Sequence, residues 1–432
     1  MFKRLLVLGL MLGCAVVQAD EAQWWKGNTH AHSWWSDGDA PPELVAQWYR
    51  DNGYNFLVLS DHNIMKVGEK WYPIDEPPRR AAQVKDAFVR YLQRYGEGWV
   101  EIRGEVGQRE VKLKTLEEYR NLFEARGEFI FINGEEITDR FERHPIHMNG
   151  VNLVEHVEPR GGASIGEVLQ NNLNAVREQS EAFAQPMVVH VNHPNFHYAL
   201  TAEDFFKLEH EPGEGFFEMY NGHSGVDNYG DALHLATERM WDVVLSQRLG
   251  VFGNSIIYGV ATDDSHEYSE WGLGRTNPGR GWIMVRSEHL TPNEITKAIK
   301  AGDFYNSTGV EFDELELTPE RLRVSVDEKH GVSYRIEFIG TDAGADFSAK
   351  VTRSSHSHRG NDDHHHQTQR AYSSDLGRVL KVVDGGVAEY VPTGRELYVR
   401  VRVTSTRSHP NPFAEGDHEM AWTQPVVIRA RD

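Results

Sequence analysis

Short apolar runs that end in a histidine or a carboxylate recur along this chain, and they constrain the fold more than any other feature. The runs are residues 56–59 before His62, 129–133 before Glu136, 187–191 before His193, and 256–261 before Asp264 and His266. Buried parallel strands form such apolar runs, and α/β proteins gather their chemistry at the carboxyl ends of these strands. The pattern therefore predicts an α/β fold with one functional site.

The segment Asn28-Thr-His-Ala-His-Ser-Trp-Trp-Ser-Asp-Gly38 contains the first pair of candidate metal ligands. His30 and His32 are separated by one residue, so on an extended strand both imidazoles point to one side. Imidazole is a common nitrogen ligand of transition metals, and Asp37 supplies an anionic oxygen nearby. Taken alone, the segment favours incidental strand histidines and an ordinary turn, because short motifs have high false-positive rates.

The candidate ligands of all segments together are too many for one tetrahedral ion. They are His30, His32, Asp37, His62, Glu136, His147, His193, Asp264 and His266. Scattered core histidines would not keep their position after an apolar run. The set therefore predicts two or three divalent ions, with Glu136 as the bridging carboxylate.

These motifs resemble those of the PHP superfamily, named for polymerase and histidinol phosphatase domains, and within it the branch similar to carbaryl hydrolase. The matching segments are His30-Ala-His32 with Ser36-Asp-Gly38, Ser60-Asp-His62, Gly134 to Glu136 with His147, His193-Pro194, and Asp264-Ser-His266. The resemblance extends over residues 26–309 and includes the closing segment Gly302-Asp-Phe-Tyr-Asn-Ser-Thr-Gly309.

The resemblance implies a distorted seven-stranded (β/α) barrel that holds a centre of manganese, zinc or iron. It implies that Glu136, Asp264 and His193 are catalytic residues of this centre. By similarity, one ion would be bound by His30, His32, Glu136 and Asp264. A second ion would be bound by Glu136, His147 and His193, and a third by Asp37, His62 and His266. No position of the set is missing.

The implied activity is hydrolysis by a metal-activated hydroxide, because clustered cations lower the pKa of water and polarise the bond under attack. Phosphoesters are the expected substrates. Hydrolysis of amides, carbamates or carboxylic esters is the alternative within this chemistry, and a non-catalytic metal-containing binding protein is the alternative outside it. No covalent nucleophile is needed for this chemistry, and the sequence shows no convincing catalytic triad.

Several residues beside the proposed ligands have competing interpretations. Side chains alternate along a strand, so only one of Glu135 and Glu136 can point inward, and the family pattern selects Glu136. We expect His190 to pack behind the ligands, and Asp61 and Asp263 to act as caps. For Glu218, orientation of a ligand and binding of substrate remain open.

Two arginines close to the last motif are candidates for substrate binding. Arg275 and Arg280 follow His266 and can clamp a phosphate or a carboxylate. The alternative is that both merely solvate a loop.

Residues 1–19 have the layout of a signal peptide, with Lys3 and Arg4 before an apolar stretch and cleavage expected after Ala19. This layout predicts a periplasmic or secreted protein without a stable membrane span. Cys14, the only cysteine, leaves lipid attachment as an alternative. Once the leader with Cys14 is removed, the mature chain has no cysteine, so its hydrophobic core rather than disulfide bonds must stabilise the fold.

The formal net charge of −20 argues against nucleic acid and anionic membranes as partners. The expected partner is a small-molecule substrate. If that substrate is anionic, it needs a local cationic centre such as the metal ions.

Two domains follow the leader in this interpretation. Residues 20–310 form the metallohydrolase domain, and residues 311–432, with period-two alternation, form a small antiparallel β-sandwich. Residues 354–369 are rich in histidine and are expected to be a mobile loop. Because every proposed ligand precedes Gly309, the first domain is expected to keep its metals alone.

Overall fold

The structure is a computed structural model that describes residues 22–353 and 369–429. The predicted signal peptide and Cys14 lie outside the described residues. The histidines of the predicted loop over residues 354–369 also lie outside them. Within the described ranges, no helix has both the length and the apolar composition needed to cross a bilayer.

The helices lie mostly in the N-terminal part of the chain. Helices α1 to α7 span Pro42–Asp51, Ala81–Tyr95, Leu116–Tyr119, Ile165–Phe183, Glu203–Phe206, Thr237–Gln247 and Pro292–Lys300. Helix α1 begins with proline at its first position, where the missing N–H costs nothing, and it buries Val45, Ala46 and Tyr49. A 3-10 turn, Arg120–Leu122, follows α3, and a π-helical turn, Arg248–Phe252, follows α6.

Strands outnumber helices in the described residues. Strands β1 to β12 span Gln23–Asn28, Phe56–Leu57, Trp71–Pro73, Ile102–Arg103, Glu110–Lys112, Ile130–Phe131, Gly134–Phe141, His144–Val151, Val188–Val191, Phe216–Asn221, Tyr258–Thr262 and Trp282–Ser287. Strands β13 to β23 span Phe304–Ser307, Phe312–Leu317, Leu322–Val326, Tyr334–Asp342, Ala349–Arg353, Gln369–Tyr372, Arg378–Asp384, Val387–Tyr390, Glu396–Ser408, His418–Thr423 and Val426–Val427. The protein is therefore mixed α/β with a low helix content.

Two sheets carry the candidate site. The larger has the order β19-β16-β21-β22-β13-β12-β1-β2-β6, and the other has the order β11-β10-β9-β8-β7. Strands β1, β2 and β6 are parallel neighbours, as are β9, β10 and β11. The apolar runs of the sequence thus form parallel strands, as the pattern predicts.

The two sheets meet at the candidate ligands. A parallel bridge joins Ala31 to Ser265, and a second joins His62 to Glu136. Next to the first bridge, the Asp264 amide donates to the His30 carbonyl at 3.0 Å. The contacts between the sheets thus include the ligand segments themselves.

A long hairpin corrects one expectation from the sequence. Strands β7 and β8 pair antiparallel from Gly134 to Val151, so Glu136 and His147 lie inside strands rather than after them. The apolar run forms the short strand β6, and the next strand, β7, begins at Gly134 and runs past Glu136 to a tight turn, where Glu142 adopts a φ of 53°. Glu136 thus follows the strand of its apolar run, as expected, but lies inside the next strand, and His147 lies inside a strand of its own.

The predicted domain boundary at residue 310 is crossed by one continuous sheet. Strand β13 pairs with β22, so the C-terminal strands extend the sheet that contains β1. Gln424 donates to the Gly259 carbonyl at 2.8 Å, and the buried Arg400 pairs with Asp242 at 2.7 Å. The C-terminal strands are antiparallel, as the alternation predicts, and they pack tightly on the first part of the chain.

Candidate metal centre

All nine proposed ligands lie together where the two sheets meet. Their donor atoms form four overlapping groups, each with its atoms within 4.8 Å of one another. The groups are His32 with Asp37, His62 and His266; His30 with His32 and Glu136; His30 with His193 and Asp264; and His62 with Glu136 and His147. Each of these groups can hold a metal ion.

The Glu136 carboxylate lies at the centre of the cluster and is fully buried. Its distances to ring nitrogens are 2.8 Å for His62 Nδ1, 3.1 Å for His147 Nδ1, 3.4 Å for His32 Nε2 and His193 Nε2, and 3.5 Å for His30 Nε2. Both carboxylate oxygens take part. This is the placement expected of a carboxylate that bridges two ions.

Asp37 occupies the outer side of the cluster. Its Oδ1 lies 3.2 Å from His266 Nε2 and 3.5 Å from His62 Nε2. Asp264 lies on the inner side, with Oδ1 3.2 Å from His30 Nε2. Three carboxylates thus alternate with imidazoles across the cluster.

The unpaired atoms of the cluster fit a metal centre. Among the described residues, His30 Nε2, His32 Nε2 and Glu136 Oε2 are buried without a hydrogen-bond partner. Unpaired buried polar atoms are costly in a folded protein, so each needs an explanation. On the other side of the rings, His30 Nδ1 is hydrogen-bonded to Glu218 Oε1 at 2.7 Å, and His32 Nδ1 is hydrogen-bonded to Ser36 Oγ at 3.2 Å. This leaves Nε2 as the metal-facing atom of both rings.

The electrostatics keep the carboxylates in the form that binds cations. Burial alone would raise the pKa of Glu136, but the imidazoles of His62 and His30 hold it well below its ordinary value. Burial and the neighbouring His266 lower the pKa of His32 to about 4, so its imidazole is neutral. Ionised carboxylates and neutral imidazoles are the species that coordinate metals.

Two proposed ligands have left-handed backbone conformations. His193 has a φ of 24° and Asp264 a φ of 47°. These conformations cost free energy for residues other than glycine and persist only where the surroundings enforce them. The His193 amide donates to Glu218 Oε2 at 2.8 Å, which holds one of the two strained positions.

The sequence leaves open whether Glu218 orients a ligand or binds substrate. In the structure Glu218 contacts His30 and His193 and does not line the cavity above them, which favours orientation of the ligands. Its fully buried carboxylate also accepts hydrogen bonds from Asn221 Nδ2 and Thr262 Oγ1, each at 2.7 Å. From β10 it therefore ties the segments that follow β1 and β9 to β11, behind the metal-facing atoms, and it orients His30 and His193.

The neighbours of the ligands have structural partners, as predicted. His190 is buried behind the cluster and contacts Thr29 Oγ1 at 3.1 Å. Asp61 accepts from the Ser33 amide, and Asp263 accepts from the amides of residues 279–281. Glu135 faces away from Glu136 and binds the His156 ring at 2.6 Å.

A cavity of about 730 Å³ opens above the cluster. Besides proposed ligands, it is lined by Trp35, Lys70, Arg79, Arg80, Phe196 and His223. Arg79 donates to Asp37 Oδ2 at 2.6 Å, and Arg80 donates to the Asp37 carbonyl. The mouth of the cavity therefore has a cationic side next to the metal-facing atoms.

The structure does not bring Arg275 and Arg280 to this cavity. Arg280 is fully buried and donates to the backbone carbonyls of Gly222, Arg275 and Gly272. Arg275 pairs with Glu267 and Glu270. Neither guanidinium is free for a substrate in this arrangement, since each is held by its own loop.

The sequence analysis missed four titratable residues of the cavity. Lys70, Arg79 and Arg80 come from a charged segment without strand periodicity, where no pattern distinguishes them. His223 follows the strand β10 and the pair Asn221-Gly222, so the rule of a histidine after an apolar run was sufficient to find it.

Removal of metal is expected to lower the thermal stability of the protein. Ligands that bind only the folded state stabilise it by about 4 kcal/mol at a thousand times their dissociation constant. A melting curve in excess chelator should therefore shift down by several degrees, and added Mn²⁺ or Zn²⁺ should restore it. The Glu136→Gln variant is the control, since its melting temperature should respond much less. Equal curves for the wild type with and without chelator would contradict the site.

The comparisons with known proteins give distant structural likenesses only. No protein-family model and no curated protein matches the sequence. One similar structure is a two-domain protein from Bacteroides vulgatus that contains a predicted PHP-like metal-dependent phosphoesterase. It has 12% identity and a TM-score of 0.36, and the match covers 95% of this chain and 97% of that chain. Another is a protein from Bifidobacterium adolescentis that is described as a predicted metal-dependent phosphoesterase. It has 12% identity and a TM-score of 0.26, and the match covers 58% of this chain and 91% of that chain.

Proposed function

We propose that this protein is a metal-dependent hydrolase of the PHP superfamily, similar to its carbaryl-hydrolase-like branch, and that it acts on phosphoesters. The observation that carries the proposal is the Glu136 cluster, which combines unpaired buried ligand atoms with a neighbouring cavity that has a cationic side. Unpaired imidazole nitrogens and carboxylate oxygens need cations, and the arginines beside them suit an anionic substrate.

We also infer that the strands around the site close into a distorted seven-stranded barrel. Pairing runs from β1 to β2 and β6, and β6 leads into β7 after only two residues. It continues through β8, β9, β10 and β11, and the bridge from Ala31 to Ser265 returns to the start. Closure of this kind places the ligand segments around one cavity.

The proposed centre holds two or three divalent ions of manganese, zinc or iron. The group of Asp37, His62 and His266 agrees with the ion sharing implied by the family resemblance, with His32 in addition. His193 groups with His30 and Asp264 rather than with His147, whose partners are His62 and Glu136. Overlapping groups favour ions that share Glu136, and the proposed catalytic residues Glu136, Asp264 and His193 all belong to them.

The chain's own residues divide the remaining tasks. When bound, the ions supply Lewis-acid activation of water and of the bond under attack. Glu218 holds His30 and His193 in position, and Arg79 and Arg80 attract the anionic part of the substrate at the cavity mouth. Trp35 and Phe196 offer apolar surface for the rest of the substrate.

The test is an assay of protein loaded with Mn²⁺ or Zn²⁺ on matched substrates. We expect hydrolysis of aryl phosphate mono- or diesters that chelator abolishes, and much slower hydrolysis of naphthyl esters and carbamates. Hydrolysis of the esters or carbamates alone would reject the phosphoesterase proposal and favour the alternative within the same chemistry. Bound metal without any hydrolysis would favour a binding protein.

Export of the mature chain remains a prediction, which the intact mass of protein from the periplasm checks.

Substitution of a cavity arginine should weaken the binding of anionic substrates selectively. Arg79 is 65% exposed, so Arg79→Ala should fold normally. A hydrogen bond to a charged group contributes about 1.5–3 kcal/mol, which corresponds to roughly a tenfold to hundredfold higher KM for a phosphoester. Arg275→Ala is the matched control, because that side chain lies outside the cavity. An effect of Arg275→Ala equal to that of Arg79→Ala would contradict this assignment.

A further inference from the structure

His223 enters the cavity from the loop that follows β10, and its ring has a defined tautomer. The Gly225 amide donates to His223 Nδ1 at 2.9 Å. A ring nitrogen that accepts a hydrogen bond carries no hydrogen, so in the neutral ring the hydrogen must be on Nε2. His223 therefore presents an N–H group rather than a lone pair at Nε2.

The loop that carries His223 is held rigidly. The Asn228 side chain bonds both the amide and the carbonyl of Asn221, at 3.1 and 2.6 Å. The His223 amide donates to Asn221 Oδ1 at 2.8 Å, and a bridge joins Val226 to Phe196. The imidazole is thus positioned before any ligand binds, which is the condition for effective recognition.

The His223 ring lies beside the proposed centre but is not part of its ligand groups. Its centroid is 5.2 Å from that of His266 and 5.9 Å from that of Phe196, and the ring lines the cavity. Among the described residues, Nε2 has no hydrogen-bond partner and no carboxylate within ion-pair distance. A donor with a fixed orientation therefore remains available in the cavity.

We propose that His223 is a substrate-binding residue that donates a hydrogen bond from Nε2–H to an oxygen of the phosphoryl group under attack. This inference rests on the proposed phosphoesterase function and identifies one of its uncharged specificity contacts. The substrate class is an oxyanion that offers an acceptor oxygen next to the Asp37, His62 and His266 side of the centre.

The same hydrogen bond excludes two other roles for this ring. Protonation to the imidazolium needs a hydrogen on Nδ1, which would face the Gly225 N–H. Coordination of a metal through Nε2 needs the same hydrogen on Nδ1. The Gly225 contact opposes both, and only donation from the neutral ring is compatible with it.

Three substitutions separate the roles of the two ring nitrogens. In His223→Gln the side-chain amide nitrogen can reach the place of Nε2, in His223→Asn the amide lies near the place of Nδ1, and in His223→Ala both are lost. The full-length, metal-loaded variants are compared by bound metal per chain, by the Kd of inorganic phosphate from calorimetry, and by kcat/KM for an aryl phosphate.

We expect His223→Ala to lose about a hundredfold in kcat/KM, the usual effect of one preorganised donor, together with weaker phosphate binding. His223→Gln should remain within about tenfold of the wild type, because a single hydrogen bond of imperfect geometry loses about 1 kcal/mol. His223→Asn should resemble His223→Ala. Bound metal should be the same in all four proteins.

Each other result overturns the inference. Loss of bound metal in His223→Ala would make the ring a ligand, and rescue by His223→Asn but not by His223→Gln would make its role structural. Wild-type kinetics and phosphate affinity in His223→Ala would leave the proposed function intact and remove this inference alone. A metal-loaded wild type that neither binds phosphate nor hydrolyses phosphoesters would overturn the proposed function and this inference together.

Discussion

The Glu136→Gln variant is expected to lose metal from more than one position and to lose most of its activity. An amide is neutral and can offer only one oxygen, whereas both Glu136 oxygens lie within 3.5 Å of ring nitrogens of proposed ligands. Lewis-acid stabilisation of several kcal/mol corresponds to about a thousandfold in rate. We therefore expect at least that loss for a phosphoester substrate, and a lower metal content per chain.

Two variants control for this result. In Glu135→Gln the change lies on the opposite side of the strand, where the carboxylate binds the His156 ring and the Val157 amide at 2.6 Å. That variant should lose up to about 3 kcal/mol of folding free energy but keep its metal and its activity. His193→Ala should lose a ligand from one group only. Loss of metal in Glu135→Gln together with normal metal in Glu136→Gln would require abandoning the assignment.

Truncation after Gly309 is expected to abolish the folded state. It removes β22, the partner of β13, and it uncovers Tyr220, whose ring lies 6.0 Å from that of Trp422. It also leaves the buried Asp242 without Arg400. An uncompensated buried charge costs about 3–5 kcal/mol, a large part of the roughly 5–15 kcal/mol by which proteins are stable. The exposed strand edge and apolar surface add to this cost.

The measurement is a chemical unfolding curve of residues 20–309 beside that of the mature chain. We expect no cooperative transition for the fragment and no stoichiometric metal. Addition of residues 310–432 as a separate chain should restore part of both, because the missing strand and Arg400 return. A fragment that unfolds cooperatively and holds its metals would instead establish the separable domain that the position of the ligands predicts.

The nine proposed ligands illustrate what sequence reasoning can place. The two-residue period of an extended segment predicts that His30 and His32 point to one side. Strand β1 ends at Asn28, but Ala31 between the two histidines forms a β-bridge, and both rings do face Glu136. The apolar runs before His62 and His193 form parallel strands whose ends converge. Period and strand direction are local properties of the chain, and they predicted that residues distant in sequence would meet, whereas the choice of Glu136 over Glu135 came from the family resemblance.

The arginines show where such reasoning ends. Arg280 lies near Asp264 in sequence, but its guanidinium turns into the protein toward backbone carbonyls. Arg79 and Arg80 enter the cavity from a segment with no strand pattern, at the start of α2, where Arg80 has a φ of 48°. The direction of a long side chain depends on tertiary acceptors, which a sequence pattern does not contain.

The way in which β1 is paired determines when the centre can form during synthesis. This strand leads directly to His30 and His32, but its antiparallel partner is β12, and the Trp25 ring donates to the Ser287 carbonyl 262 residues later. Contacts between such distant residues form slowly because the intervening chain must first be ordered. His30 and His32, the first histidines of the chain, therefore need about two thirds of its 432 residues, up to Ser287, before β1 has both neighbours. We therefore expect metal loading of the proposed centre to be a late event, and we expect a chain arrested before Ser287 to carry His30 and His32 without a complete site.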